Sequence, residues 1–194
     1  MVPMVNTPDE AIKIVRSSKY PPQGKRGAGF GFAHDNYINQ SPLSYIEKAN
    51  NSLINIIQIE TKQGLENVKE IASVDGVDCL WVGHFDLTNF LGIPGDFNSK
   101  IYLNAINKIV IAAKTHNKSL GIMVNNRQEL ENYSKLGFNM IAVGTEMSIL
   151  SKSISQILEW FHEQKLGEMS LLKKSTISHR RLAVNKFLKF LKKI

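Results

Sequence analysis

The feature that most constrains the fold is an alternation of short apolar runs with amphipathic helical patterns. Hydrophobic periodicity predicts five strands, at residues 2–5, 53–59, 79–83, 119–124 and 139–144. It predicts helices near residues 8–18, 64–73, 99–116, 127–136 and 147–164. Strands that are apolar on both faces and alternate with helices indicate a parallel sheet covered by helices. We therefore predict an α/β fold, either as part of a barrel or as a doubly wound sheet.

Two segments interrupt this rhythm. Residues 20–42 are rich in Gly and Pro and too long for a simple connection, so they are a candidate functional loop. Residues 166–194 follow the last predicted helix and change abruptly in composition. We therefore predict an α/β domain over residues 1–165 and an appended tail over residues 166–194.

The net charge of +7 is concentrated in that tail. Residues 173–194 contain eight Lys and Arg and no acid, whereas the other 172 residues carry 16 basic and 17 acidic side chains. The end of the tail has the spacing of a basic amphipathic helix, which can bind an anionic membrane, RNA or a partner's groove. The alternatives are a helix that packs on the domain surface and a sequence unrelated to the domain's function.

Compartment is indicated by cysteine content and hydropathy. Cys79 is the single cysteine of the chain, so no internal disulfide forms, and no run approaches the ~18–20 apolar residues of a membrane span. We therefore expect a cytoplasmic protein.

Two carboxylates follow neighbouring predicted strands. Glu60 closes the run LINIIQIE, and Asp86 follows the next strand by three residues. Because the carboxyl ends of parallel strands open on one face, both acids can converge on a hard divalent cation such as Mg²⁺ or Mn²⁺. The alternative is that each acid caps the helix that follows its strand.

The order of several motifs resembles the HpcH/HpaI family of class II pyruvate aldolases. The shared stretches are VPMVNTPDEA, RSSKYPPQGKRGAGF, IQIETKQG through VGHFDLTNFLGIPG, and AVGTEMSIL, which together extend over about residues 1–165. The resemblance implies a partial (β/α)₈ TIM barrel, approximately strands 4 to 8 with their helices, plus the basic C-terminal helix. It also implies reversible retro-aldol cleavage of a 4-hydroxy-2-oxo acid to pyruvate and an aldehyde.

The resemblance also assigns roles to residues. It implies that Glu60 and Asp86 hold the divalent metal, Mg²⁺ or Mn²⁺, with Co²⁺ as a further candidate. Residues 26–28 match the active-site loop of the family. The resemblance implies that Arg26 is a catalytic cation and that Gly27 and Ala28 bind the substrate through their backbone. Backbone near the substrate carboxylate is assigned to Gly83 and Phe85. His84 stands where the family has Pro, and its alternatives are a third ligand, a catalytic base or a solvent-facing side chain.

Parts of the family pattern are not found in these 194 residues. The resemblance begins at the family's fourth strand, and the Glu-His dipeptide of the second-strand general base does not occur. The leading hypothesis is an aldolase chain that is impaired unless a homo-oligomer or a complementing N-terminal fragment completes it. A related lyase acting on another oxo acid, and a non-catalytic interaction protein that uses its basic tail, are the alternatives. The expected small-molecule partner is an oxo acid, and contact with nucleic acid or membrane is assigned only to the tail.

Overall fold

The computed structural model describes residues 1–37 and 41–165. The chain divides into two compact units, of which the first comprises Met1–Val143 and the second begins at Gly144. The first unit alternates helices with strands in this order: α1 Pro8–Ser18, a 3-10 turn Ala33–Asp35, α2 Pro42–Ser52, β1 Ile56–Ile59, α3 Lys62–Glu66, α4 Val68–Ser73, β2 Cys79–Val82, α5 His84–Phe90, α6 Lys100–Thr115, β3 Ser119–Val124, α7 Arg127–Leu136 and β4 Met140–Val143. The described part of the second unit consists of residues 144–145 and helix α8, Glu146–Lys165.

The four strands form one parallel sheet in the order β1-β2-β3-β4. Neighbours in sequence are also neighbours in the sheet, and Ile59 pairs with Val82 at the carboxyl ends of β1 and β2. Each crossover contains at least one helix, as parallel pairing requires. The predicted α/β fold with a parallel sheet is confirmed, and its consecutive strand order agrees with part of a barrel.

The core of the first unit lies between the sheet and the helices that cover it. Ile57, Ile59 and Leu80 on the strands have no exposed surface, and Ile109 on α6 is equally buried. The helical spacing of Leu65, Val68 and Ile71 predicts that they belong to the core, and all three are buried. Asn67 separates α3 from α4, so the single helix predicted over residues 64–73 is wrong.

The predicted strand at residues 2–5 is the largest difference in the sheet. Only Val2 pairs there, through an isolated parallel bridge to Ile57. Met4 then adopts a left-handed backbone conformation, with φ of 57°, which no regular strand contains. Residues 2–5 therefore lie along the edge of the sheet beside β1 without continuing the ladder.

Two helices were not predicted from the periodicity. Helix α2 begins with Pro42 in its first turn, and Asn50 is its buried residue. It therefore has no buried apolar stripe from which the periodicity could predict it. Helix α5 begins at His84, immediately after Gly83 ends the strand run, and its seven residues are too few for a clear period. The end of the predicted loop at residues 20–42 is consequently the start of α2.

No helix of the described residues is long and apolar enough to cross a membrane. The basic tail over residues 166–194 lies outside the described residues, as does the predicted domain boundary at residue 166.

Candidate active site at the carboxyl end of the sheet

Glu60 is a buried carboxylate directly after β1. Its side chain is 2% exposed, and each of its oxygens accepts one hydrogen bond. The backbone N–H of Met4 donates to Oε1 at 2.8 Å, and Nε2 of Gln58 donates to Oε2 at 2.6 Å. A carboxylate oxygen has two acceptor positions, so each oxygen keeps one for a further ligand. Glu60 is thus held in a fixed orientation while it retains the capacity to bind a cation.

The helix that follows Glu60 is capped by another residue. Thr61 is the N-cap of α3, and its hydroxyl accepts a hydrogen bond from the Gly64 N–H at 2.9 Å. The same hydroxyl donates to Oδ1 of Asn6. Because Thr61 performs the capping, the alternative interpretation of Glu60 as a helix cap is wrong.

Gly83, at the end of β2, lies against the Glu60 carboxylate. A Cβ at this position would overlap Oε2 of Glu60 and stand 2.7 Å from Nε2 of Gln58. The Gly83 N–H donates to the carbonyl oxygen of Ile59 at 3.2 Å, which extends the contact between the two strand ends. The Gly83 N–H is therefore already used in a hydrogen bond between the two strand ends. A contact between Gly83 and a substrate carboxylate would have to use an atom of Gly83 other than this nitrogen.

Asp86 follows the adjacent strand in the first turn of α5. The N-cap of α5 is Gly83 and makes no side-chain capping bond, so Asp86 is not the cap of this helix either. Its side chain is exposed, and no hydrogen bond joins its carboxylate to another group in the described part of the chain. The structure thus brings the two predicted metal ligands to the carboxyl ends of two adjacent strands, as the sequence predicts.

The donor set fits a hard divalent cation with few protein ligands. Within residues 1–37 and 41–165, no group of three or more His, Cys, Asp or Glu side chains forms a complete metal site. Two carboxylates that leave other positions to water and substrate oxygens are the arrangement that Mg²⁺ accepts. Glu60 and Asp86 are the residues that would hold such an ion.

His84 is half-buried in an aromatic cluster, and the alternative of a solvent-facing side chain is wrong. Its ring lies 4.7 Å from that of Phe85 and 5.2 Å from that of Phe97, centroid to centroid. Burial lowers the pKa of His84, and the charge of Glu129 opposes this shift only in part. Phe85 is 60% exposed, so this predicted substrate-binding residue lies at the surface beside Asp86.

Arg26 lies at the other end of the sheet. The backbone N–H of Arg26 donates to the carbonyl oxygen of Lys19, just after α1. The guanidinium carbon of Arg26 lies 4.6 Å from the centre of the Tyr20 ring. Tyr20 is fixed in turn by two hydrogen bonds with Asn50, at the carboxyl end of α2. Lys19 and Asn50 line one cavity with Asp78, which directly precedes β2, so these partners lie near the amino end of β2.

The loop that Arg26 begins is therefore not brought to Glu60 within one chain. Gly27 and Ala28 are exposed, and the space around a Cβ at Gly27 is empty. Their assignment to the substrate site rests on the resemblance and stays a prediction.

Gln58 is the residue of this site that the sequence analysis missed. It shares one face of β1 with Glu60 because side chains two apart in a strand point to the same side. A polar residue inside the apolar run LINIIQI is the signal that could have found it.

Comparison with known proteins identifies the family. The sequence model of the HpcH/HpaI aldolase/citrate lyase family matches residues 1–153. The chain belongs to this family. Among curated relatives, the 4-hydroxy-2-oxo-heptane-1,7-dioate aldolase of Shigella flexneri is 34% identical over 161 residues, which are 83% of this chain and 60% of the relative. The hydroxypyruvate/pyruvate aldolase of Delftia acidovorans is 36% identical over 153 residues, 79% of this chain and 56% of the relative.

Solved structures agree with this assignment. An HpcH/HpaI aldolase/citrate lyase family protein from Burkholderia cenocepacia superposes with a TM-score of 0.77 at 29% identity, covering 82% of this chain and 63% of that protein. Macrophomate synthase, at 23% identity and a TM-score of 0.74, shares the fold; it covers 87% of this chain and 60% of that protein. The chain spans about 60% of the length of the aldolases that it matches.

Proposed function

We propose that this chain carries the metal-binding part of a class II pyruvate aldolase site. The observation that carries the proposal is Glu60, a carboxylate that is 2% exposed and oriented by two hydrogen bonds at the carboxyl end of the sheet. Burying a carboxylate is costly unless its charge is used or compensated, and two neutral donors compensate it only in part. A divalent cation shared with Asp86 would supply the remaining compensation.

The reaction is the reversible retro-aldol cleavage of a 4-hydroxy-2-oxo acid to pyruvate and an aldehyde, as in the relatives named as aldolases. When bound, the divalent cation, Mg²⁺, Mn²⁺ or Co²⁺, acts as a Lewis acid toward the negative charge that develops on the oxo acid. Glu60 and Asp86 would hold the ion through carboxylate oxygens. Phe85, the exposed residue directly before Asp86, is the proposed substrate contact on this side of the site.

The chemistry also needs a base, and the Glu-His dipeptide that the family resemblance assigns to it does not occur in the sequence. His84 is the imidazole beside Asp86, and burial lowers its pKa. The His84 ring contacts the rings of Phe85 and Phe97, so we do not assign the role of general base to His84. Without a positioned base, proton transfer loses a factor of about 10²–10⁴.

Further polypeptide is expected to complete the site. The segment at residues 2–5 pairs on one side with β1, and β4 pairs on one side with β3, among the described residues. Apolar side chains at these two edges are exposed: Met4 at 46%, Ile54 at 57% and Val143 at 60%. Additional strands, from an N-terminal polypeptide or from another copy, would cover them.

Calorimetric titration of the folded 194-residue chain with Mn²⁺ tests the metal site. We expect the wild type to bind Mn²⁺ and Asp86→Asn to bind it with an affinity lower by about tenfold, because the variant loses a carboxylate that would contact the ion directly. Asp96→Asn is the matched control, since Asp96 is also exposed and follows the same strand. Equal affinity in Asp86→Asn and the wild type would remove Asp86 from the site.

Pyruvate release from a 4-hydroxy-2-oxo acid tests the catalytic part. The 194-residue chain with Mn²⁺ should give background rates, and a polypeptide that carries the first three βα units of a relative should raise them. Robust turnover by the chain alone would contradict the proposal, and a His84→Ala variant would then show whether His84 is the base.

A further inference from the structure

We propose that the segment formed by residues 2–6, which we call the N-terminal strap, together with Gln58, is a clamp that positions Glu60. Binding of a cation at Glu60 is then thermodynamically linked to docking of the strap on the sheet. This inference rests on the proposed metal site and names the residues that control it.

The strap is attached to β1 by few backbone contacts. The Val2 N–H donates to the carbonyl oxygen of Ile56 at 2.9 Å, and the Gln58 N–H donates to that of Val2 at 3.0 Å. After Val2 the ladder stops, because Met4 turns into the left-handed region. This conformation is unfavourable for a residue with a side chain, so something must compensate for it.

The compensating contact is the bond from Met4 to Glu60. The left-handed turn directs the Met4 N–H at Oε1 of Glu60 instead of at a strand partner. A hydrogen bond from an N–H to an ionised carboxylate is stronger than one between neutral groups. The conformation of the strap and the orientation of a residue 56 positions later therefore depend on each other.

Asn6 fixes the strap from its other end. Its Nδ2 donates to the carbonyl oxygen of Met4 at 2.9 Å, and its Oδ1 accepts from the hydroxyl of Thr61. Its own carbonyl oxygen accepts from Nδ2 of Asn67 at 2.7 Å. Asn6 thus joins Met4 to the turn after Glu60, although it makes no hydrogen bond with Glu60 itself.

Gln58 completes the clamp on the second oxygen. Its amide donates to Oε2 of Glu60 at 2.6 Å, and the backbone of Gly83 packs over this pair. The strap and Gln58 together leave the carboxylate one orientation. Groups that orient a ligating carboxylate typically change metal affinity by about 10–100-fold when they are removed.

Linkage follows from this geometry. A cation that prefers the oriented carboxylate stabilises the docked strap, and a docked strap strengthens cation binding by the same factor. Asn6 is the most informative position, because it holds the strap in place without making a hydrogen bond to Glu60 itself.

The first test uses nuclear magnetic resonance of the full chain with and without Mg²⁺, and needs no variant. Exchange of the Met4 amide with solvent should slow by about tenfold when Mg²⁺ is added, as linkage through the oriented carboxylate predicts. Amides of α7, which has no buried residues, should respond less. An unchanged Met4 amide in a chain that binds Mg²⁺ would overturn the linkage.

The second test uses calorimetry with Mn²⁺ on Gln58→Met and Asn6→Ala. We expect affinity to fall by about 10–100-fold in Gln58→Met and by about tenfold in Asn6→Ala. The matched controls are Gln128→Met and Asn132→Ala, which remove amides from the exposed face of α7. Urea unfolding of each variant establishes that it is folded at the temperature of the titration.

The outcomes separate the two proposals. Binding of Mn²⁺ with equal affinity in wild type, Gln58→Met and Asn6→Ala would overturn the clamp and leave the metal site intact. No binding of Mn²⁺ by the wild type would overturn the metal site and with it the linkage. In that case, faster exchange of the Met4 amide in Glu60→Gln would show that the strap and Glu60 still hold each other.

Discussion

The turns after β1 and β2 each present one carboxylate at the same end of the sheet, but they hold it differently. Glu60 is 2% exposed and accepts hydrogen bonds on both oxygens. Asp86 is exposed and accepts none from the described residues. One proposed ligand is thus oriented in the absence of an ion, whereas the other proposed ligand is free to adjust its orientation. A site built this way should depend more on the fixed ligand than on the adjustable one.

The sharpest way to break this comparison is to neutralise each carboxylate in turn. Glu60→Gln should lower the affinity for Mn²⁺ by roughly 100-fold and Asp86→Asn by about tenfold, since only the buried residue is pre-oriented. Calorimetry of both variants under one set of conditions measures the ratio. An equal loss in the two variants would show that orientation by Met4 and Gln58 contributes nothing to binding.

The close packing at Gly83 gives the next largest effect. Gly83→Ala would place a methyl group on the Glu60 carboxylate, and overpacking of this kind costs about 1–3 kcal/mol in the free energy of unfolding. Gly27→Ala is the matched control, because the space around its Cβ is empty. Urea unfolding measures both. A Gly83→Ala protein as stable as the Gly27→Ala protein would mean that the two turns can move apart.

The amino end of β2 provides a pH-dependent contrast. Burial, assisted by the charge of Asp78, raises the pKa of Cys79 from 9.0 to about 11. The folded thiol therefore keeps its proton at a pH where the unfolded thiol has lost it. This contribution to stability is complete below pH 9 and is lost as pH rises toward 11.

Urea unfolding at pH 8 and pH 10 checks this expectation. The wild type should lose more stability than Cys79→Ala between these two pH values. The affinity for Mn²⁺ should be the same in both proteins at pH 7.5. Cys79 lies at the amino end of β2, whereas Gly83 and Asp86 follow the carboxyl end of that strand. Parallel pH profiles would contradict burial as the cause of the shift.

The smallest expected effect concerns His84. Replacing it by Phe keeps an aromatic ring in the tilted and edge-to-face contacts with Phe85 and Phe97 and removes both ring nitrogens. If His84 is a packing residue, His84→Phe should bind Mn²⁺ with wild-type affinity in calorimetry. A loss of about tenfold or more would identify His84 as a third ligand.

The rhythm of strands and helices was readable because it follows from local patterns. Strand β3 and helices α1 and α7 have the predicted boundaries, and α1 has a complete capping box formed by Thr7 and Glu10. The two metal-ligand candidates could also be predicted, since an acid after a buried strand stands out against an apolar run. Helix α2 was missed because its residues bury almost nothing.

The sequence by itself determined the α/β fold, the parallel sheet and the family, because periodicity and motif order are properties of neighbouring residues. Only the tertiary structure decided how Glu60 is held, since its partner Met4 lies 56 positions earlier in the chain. Met4 donates through its backbone N–H, which its residue type does not predict. The tertiary structure likewise decided the place of Arg26 at the other end of the sheet from Glu60. The physical reason is that hydrogen bonds and close packing between distant segments depend on how the chain returns on itself, which local sequence preferences do not encode.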